Sequence, residues 1–173
     1  MPNTEGLEKK NWFALYTKPR HEFKAVLHLE SKGIENYLPT IVKTKKWSDR
    51  KKKISEPIFK GYVFIYVNEK ERLLSLQNPA IVKTVTFNGK PAVIPDWQIE
   101  NLNIMLSEDP EVFVSDRIEL GTKVKIISGP FSDVVGIVKE LNNDTWLAVS
   151  IDLLQRSILV RLTQDNIVRI LED

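Results

Sequence analysis

No cysteine occurs in the chain. That absence excludes a disulfide scaffold, a thiolate zinc site, an iron–sulfur cluster and a cysteine nucleophile together, and it fits a reducing compartment. Nor is there any run near the roughly 18 to 20 apolar residues that cross a bilayer, and the start, MPNTEGLEKKN, lacks the apolar core of a signal peptide. The expected location is cytoplasmic, without membrane contact. Glycine is scarce, seven in 173 residues, and no two are spaced as in GxxxxGK[ST], GxGxxG or GxSxG. The two histidines, His21 and His28, lie seven apart, too far for the i, i+4 pair of a helical zinc site. Carboxylates are scattered, with no pair marked for acid–base work. No catalytic residue, cofactor or metal ligand is therefore assigned, and the chain is read as a non-enzyme.

Net charge is also nearly absent, at +2, but it is unevenly placed. Residues 118–173 hold six Lys/Arg against eight Asp/Glu, which leaves nineteen against fifteen in residues 1–117. The N-terminal part is the half suited to nucleic acid.

What is present begins with residues 56–67, EPIFKGYVFIYV. Period 2 puts Tyr62, Phe64 and Tyr66 on one face and Val63, Ile65 and Val67 on the other, as in a strand buried mid-sheet. The aliphatic face suits a helix layer, whereas the aromatic face suits either a second covering layer or a partner protein. Residues 11–17, NWFALYT, read as a first strand, and residues 36–42 as another. A helix is expected from about 19 to 32, burying Phe23, Val26, Leu27 and Leu29, with Gly33 as its C-cap. Asn68 and Glu71 form a capping-box start for a second helix, with Leu73, Leu74 and Leu76 as its apolar side. Asn88-Gly89 is a strong hairpin signal. A third helix, about 95–106, carries Ile99, Leu102 and Leu106.

Between these, KTKKWSDRKKK at 43–53 holds seven basic residues and one acidic one around a Ser48-Asp49 turn. It reads as a hairpin, either merely solvated or in contact with a phosphate backbone through Lys45, Lys46, Arg50 and Lys51, with Trp47 as a stacking surface. Beyond an acidic linker at 107–117, five short β-rich runs in about 55 residues predict a small barrel.

Two linked motif sets carry a resemblance. Trp12-Phe-Ala-Leu-Tyr-Thr-Lys18, Glu56-Pro-Ile-Phe-Lys-Gly-Tyr-Val-Phe-Ile65 and Pro91-Ala-Val-Ile-Pro95 resemble the N-terminal (NGN) domain of the NusG family of transcription elongation factors. Gly121-x-x-Val124-x-Ile126, Gly129-Pro-Phe131 and Gly136-x-Val138 resemble its KOW domain. The resemblance implies an α+β fold: an NGN-like antiparallel sheet flanked by helices over 9–106, the 107–117 linker, and an SH3-like five-stranded β-barrel over 118–173. The WxxLYxK start and Ser55-Glu-Pro-x-Phe59 resemble the specialised RfaH and UpxY types more than the housekeeping factor, although Arg72-Leu-Leu-Ser75 stands where RfaH has His-Thr-Thr-Thr.

The resemblance further implies a monomer that grips the RNA polymerase β′ clamp helices through Tyr16, Phe59, Tyr62, Phe64 and Phe87. Lys18, Arg20, Lys24 and His28 would face upstream or non-template DNA. Phe131, Leu154 and Arg156 of the barrel would meet a small-subunit ribosomal protein or Rho. Pausing or termination would be suppressed. The RfaH barrel can refold as helices, but the Val, Ile and Thr content here favours the barrel. The rival reading is an RNA-binding or ribosome-associated KOW module.

Overall fold

The structure, a computed structural model, describes residues 8–108 and 110–172. Residues 1–7 of the stretch read as lacking a signal-peptide core lie outside that description, as do Asp109 of the expected linker and Asp173 of the expected second domain. The chain divides into two compact units, Met1–Ile94 and Pro95–Asp173.

In the first unit β1 (Asn11–Thr17), β2 (Asn36–Tyr37), β5 (Tyr62–Val67) and β6 (Ile81–Thr84) form one sheet in the order β2-β5-β1-β6. Strand β5 is interior and antiparallel to both neighbours. The register sets Phe13 opposite Ile65 and Leu15 opposite Val63. These four join Val67, Ala25, Leu29, Ile34 and Ile81 in a buried, mostly aliphatic core, each large side chain contributing about 1.5–3 kcal/mol.

Helix α1 (Glu22–Ser31) covers this face, but its start and its buried stripe differ from expectation. Arg20 is left-handed (φ 62°), which stops the helix from beginning at Pro19. Glu22, Ala25 and Leu29 are the buried residues; Val26 is half-buried, while Phe23 and Leu27 are exposed. The cause is the Glu22 carboxylate, which accepts the Gly61 N–H at 2.7 Å and so fixes the rotation of the helix. At its other end Gly33 (φ 68°) donates to the Glu30 carbonyl, as a C-cap glycine does.

Helix α2 (Glu69–Ser75) starts with the expected capping box, Glu71 N–H to Asn68 Oδ1 at 2.9 Å and Asn68 N–H to Glu71 Oε2 at 3.0 Å. It too buries an unexpected side. Arg72 and Ser75 are buried, Leu73 and Leu74 are exposed, and Leu76 packs against the core. Arg72 explains this. Its guanidinium is held by Glu69 (Nε to Oε2, 2.9 Å) and by Thr84 Oγ1 at 3.0 Å, and lies 5.9 Å from the centre of the Phe13 ring.

Two ribbons extend the unit. Strands β3 (Thr40–Lys46) and β4 (Lys51–Pro57) pair over seven positions, closed by Trp47 N–H donating to the Arg50 carbonyl at 2.7 Å. Strands β7 (Thr86–Phe87) and β8 (Lys90–Pro91) flank Asn88 (φ 51°) and Gly89 (φ 76°), the two positive angles that the Asn-Gly signal anticipates.

In the second unit the five expected strands are all present: β10 (Thr122–Ser128), β11 (Val135–Leu141), β12 (Asp144–Ile151), β13 (Arg156–Arg161) and β14 (Ile167–Ile170). With β9 (Phe113–Asp116) they form a six-stranded antiparallel sheet in the order β14-β10-β11-β12-β13-β9, around Val124, Ile126, Val134, Leu147, Ile151, Ile158 and Val160. The sixth strand, β9 (Phe113–Asp116), arises from the stretch expected to be a plain linker. Gly136 permits the close approach of β12, since a Cβ there would stand 2.5 Å from the Ala148 carbonyl oxygen. Helix α3 (Asp96–Ser107), expected to close the N-terminal domain, clusters with these strands. Two buried amides tie it there: Gln98 donates to Asp152 Oδ2 at 3.0 Å, and Asn101 brackets Val135, donating to its carbonyl at 2.9 Å and accepting its N–H at 3.2 Å.

Candidate functional site

Strand register gathers the aromatic face of the first sheet. Opposite pairs Trp12 and Tyr66, Ala14 and Phe64, and Tyr16 and Tyr62 all point away from the aliphatic core. Ring centroids stand 5.3 Å apart for Trp12 and Tyr66, 5.6 Å for Tyr16 and Tyr62, 6.4 Å for Tyr37 and Phe64, and 6.0 Å for the edge-on pair Phe59 and Phe64. The five expected contact residues do not share one environment. Tyr16 is exposed (38%), Phe87 is strongly exposed (69%) and Tyr62 is half-buried, whereas Phe59 and Phe64 are buried. The burial of Phe64 has a local cause: it sits mid-ladder opposite small Ala14, with Tyr37 and Phe59 closing on it from two sides. Burial also pushes the Tyr37 hydroxyl up to about 12.

The accessible end of the face is a depression lined by Tyr16, Tyr62, Lys83, Val85 and Thr86. Lys83, which sequence reasoning missed, arrives there because β6 pairs it with Tyr16; only the partner register would have revealed it. Gly61 (φ 87°) makes the turn into β5, and a Cβ on it would touch the Tyr16 ring at 3.4 Å.

Cationic groups lie on two further surfaces. Lys18, Arg20 and Lys24 are exposed, and half-buried His28 follows Lys24 by one helical turn, so the two share a face of α1. On the β3–β4 ribbon the register divides the lysines. Lys45 lies opposite Lys52, and on that face Lys45 and Lys43 bind Glu56 at 2.6 and 3.4 Å, while Lys52 stands 5.7 Å from the centre of the Trp47 ring. The hydrogen bond from Lys45 holds the Glu56 carboxyl below its usual range, helped by Lys43. Lys45 is thus internally neutralised. Lys46 and Lys51 face each other on the opposite side, with Lys53, also missed, two residues along; no salt bridge among the described residues involves these three. Arg50 is exposed at the turn, and Trp47 is 52% exposed.

In the second unit Phe131 and Leu154, both expected to meet a partner, are buried. The Ser132 N–H bonds back to Gly129 and the Asp133 N–H to Ile126, folding Phe131 inward. Arg156 is exposed and reaches Asp116 at 3.3 Å. Among the described residues no group of three His, Cys, Asp or Glu is placed to hold a metal ion, and no helix is long and apolar enough to cross a membrane.

Similarity to known proteins agrees with this arrangement. The family model "Transcription termination factor nusG" matches residues 10–103. The transcription termination/antitermination protein NusG of Staphylococcus carnosus is 27% identical over 181 residues, which cover 95% of this chain and 98% of that protein. Its counterpart in Staphylococcus aureus is 25% identical over 179 residues, with the same coverage. A solved structure described as a domain interaction in Thermotoga maritima NusG superposes with a TM-score of 0.54 at 26% identity, covering 95% of this chain and 98% of that one. With its central aromatic strand, its glycine-marked C-terminal sheet and a family match over more than half its length, the chain belongs to the NusG family of transcription termination/antitermination factors.

Proposed function

We propose that the protein rides on elongating RNA polymerase, its first unit gripping the β′ clamp helices through Tyr16, Tyr62 and Phe87. Phe59 and Phe64 act beneath them as the rigid floor of the patch. The observation that carries this reading is the register-locked Tyr16–Tyr62 pair, left accessible beside Lys83 at the end of a sheet face whose other rings are packed. Exposed aromatics with a polar tip, next to one cation, are the usual material of an interface hot spot. Lys46, Lys51 and Arg50 of the ribbon, with Lys18, Arg20, Lys24 and His28, supply salt-sensitive attraction to upstream or non-template DNA. Held in this way the clamp stays closed, and pausing or termination falls. The second unit recruits a small-subunit ribosomal protein or Rho through the surface around Arg156.

The protein is further proposed to be an operon-specific factor of the RfaH/UpxY type, on the strength of the WFALYTK and SEPIF motifs. The interface is tested by pull-down of polymerase with the Tyr16→Ala/Tyr62→Ala double variant. Loss of capture by a variant of unchanged circular dichroism supports it, and full capture removes it. Specialisation is tested by transcript profiling of a deletion strain: changes confined to a few long operons support it, and a genome-wide change in read-through argues for the general role.

A further inference from the structure

The β7–β8 ribbon is held by two residue pairs, Thr86 with Pro91 and Phe87 with Lys90, and every residue from Thr86 to Pro91 is exposed. So short a ribbon opens readily. Its turn is the one Asn-Gly pair in the sequence. Gly89 has no Cβ to shield its main-chain nitrogen, and even an added Cβ would meet nothing within 4 Å. Among the described residues the Gly89 N–H donates to no backbone carbonyl, and the Asn88 amide takes part in no hydrogen bond. The amides of Asn68, Asn78 and Asn101 are, by contrast, tied: to the Glu71 N–H, to Ala25 and Ala80, and to Val135. At Asn88 a carboxamide and the next main-chain nitrogen therefore stand in water with nothing between them. The chain carries its own comparison at the β11–β12 turn, where Asn142 (φ 51°) and Asn143 (φ 66°) repeat the backbone of Asn88 (φ 51°) and Gly89 (φ 76°). There the second residue bears a side chain that crowds its nitrogen.

We propose that Asn88 is a self-modification site whose conversion to isoaspartate releases the ribbon. The Gly89 nitrogen attacks Asn88 Cγ and forms the C–N bond of a five-membered imide. The Cγ–Nδ2 bond breaks, and the amide leaves as ammonia with the proton that Gly89 gave up. Water then opens the ring. Addition at Cγ gives aspartate on an unaltered main chain, whereas addition at the Asn88 main-chain carbonyl gives isoaspartate, with the chain rerouted through Cβ and Cγ; nothing is oxidised or reduced. A two-residue turn has a fixed length, so one extra main-chain atom between Phe87 and Lys90 ends their register, and two pairs cannot absorb the loss. Phe87, 69% exposed, is then no longer held in place. The inference rests on the proposed grip of Phe87 on polymerase and adds its regulation: the grip decays with the age of the molecule. The chemical step needs no polymerase, so the two readings can fail separately.

The test incubates the full chain in mildly alkaline buffer and follows each asparagine by peptide mass spectrometry, with electron-transfer fragmentation to tell isoaspartate from aspartate. The peptide holding Asn88 should gain the mass difference between a hydroxyl and an amino group several times faster than the one holding Asn142. Gly89→Asn, which copies the Asn142-Asn143 turn, should suppress the conversion. Aged wild type should capture polymerase about tenfold less than fresh protein, and aged Gly89→Asn should capture as its fresh form does. Asn88→Asp, which adds the charge without lengthening the chain, should keep capture near that of fresh wild type. Conversion at Asn88 no faster than at Asn142, conversion undiminished in Gly89→Asn, or full capture by isoaspartate-bearing protein when fresh Phe87→Ala has lost it would each overturn the proposal. Full capture by fresh Phe87→Ala sinks the grip reading and with it the regulation, while the masses alone still decide the chemistry.

Discussion

At the scale of single residues, the aromatic set separates into buried and accessible rings. Phe64 is fully buried and Tyr16 is not, so Phe64→Ala should cost about 3–5 kcal/mol in denaturant unfolding. Tyr16→Ala should cost about 1 kcal/mol or less while abolishing polymerase capture. Gly136→Ala forces a methyl group against the Ala148 carbonyl and should destabilise the second unit by about 1–3 kcal/mol. Two groups give pH signatures of opposite sign. Tyr37 has its pKa raised from an ordinary value near 10 to about 12 by burial. The folded state therefore holds the proton longer than the unfolded one, and stability present below pH 10 is lost between about 10 and 12, on the order of 2 kcal/mol. Tyr37→Phe should remove that alkaline step in pH-dependent melting. The Glu69 carboxyl is held below its usual range, chiefly by its hydrogen bond from Arg72. Its stabilising share is complete above the unfolded carboxylate value and fades as pH falls through the lowered folded one, so Glu69→Gln should flatten the acid limb of the same curve.

At the scale of elements, alternation along strands was legible and rotation of helices was not. Tyr62, Phe64 and Tyr66 fall on one face because a strand's two sides are dictated by counting. The buried faces of α1 and α2 were misjudged because each is fixed by a polar group engaging something distant in sequence: Glu22 with the Gly61 amide, Arg72 with Thr84 and the Phe13 ring. A reading that assigns Phe23, Leu27, Leu73 and Leu74 inward from apolarity alone has no access to those partners. The same limit hid β9, whose pairing depends on the edge of β13. It also hid the division of ribbon lysines, which only the register gives. That division predicts a difference between variants. Replacing Lys46, Lys51 and Lys53 by Gln should lower the slope of log K against log salt for duplex DNA by about 2.7, at about 0.9 per phosphate contact. Replacing Lys43 and Lys45, already bound to Glu56, should change it far less in a filter-binding titration.

For the molecule as a whole, charge is divided along the chain, with the cationic excess in residues 1–117 and the anionic one beyond. A soluble polyanion such as heparin should therefore compete for the first unit and strip DNA from the protein, measurable by the anisotropy of a labelled duplex. The carboxylate of Glu22 gives the first unit a further property. It fastens the start of α1, which carries Lys24 and His28, to the backbone amide at the mouth of β5, one residue before Tyr62. A displacement of the Tyr62 end of β5 would therefore bear directly on the start of the helix that carries those cations. In the proposed complex, hold on polymerase and hold on DNA would then be coupled through one carboxylate, so that weakening of either would be felt by the other.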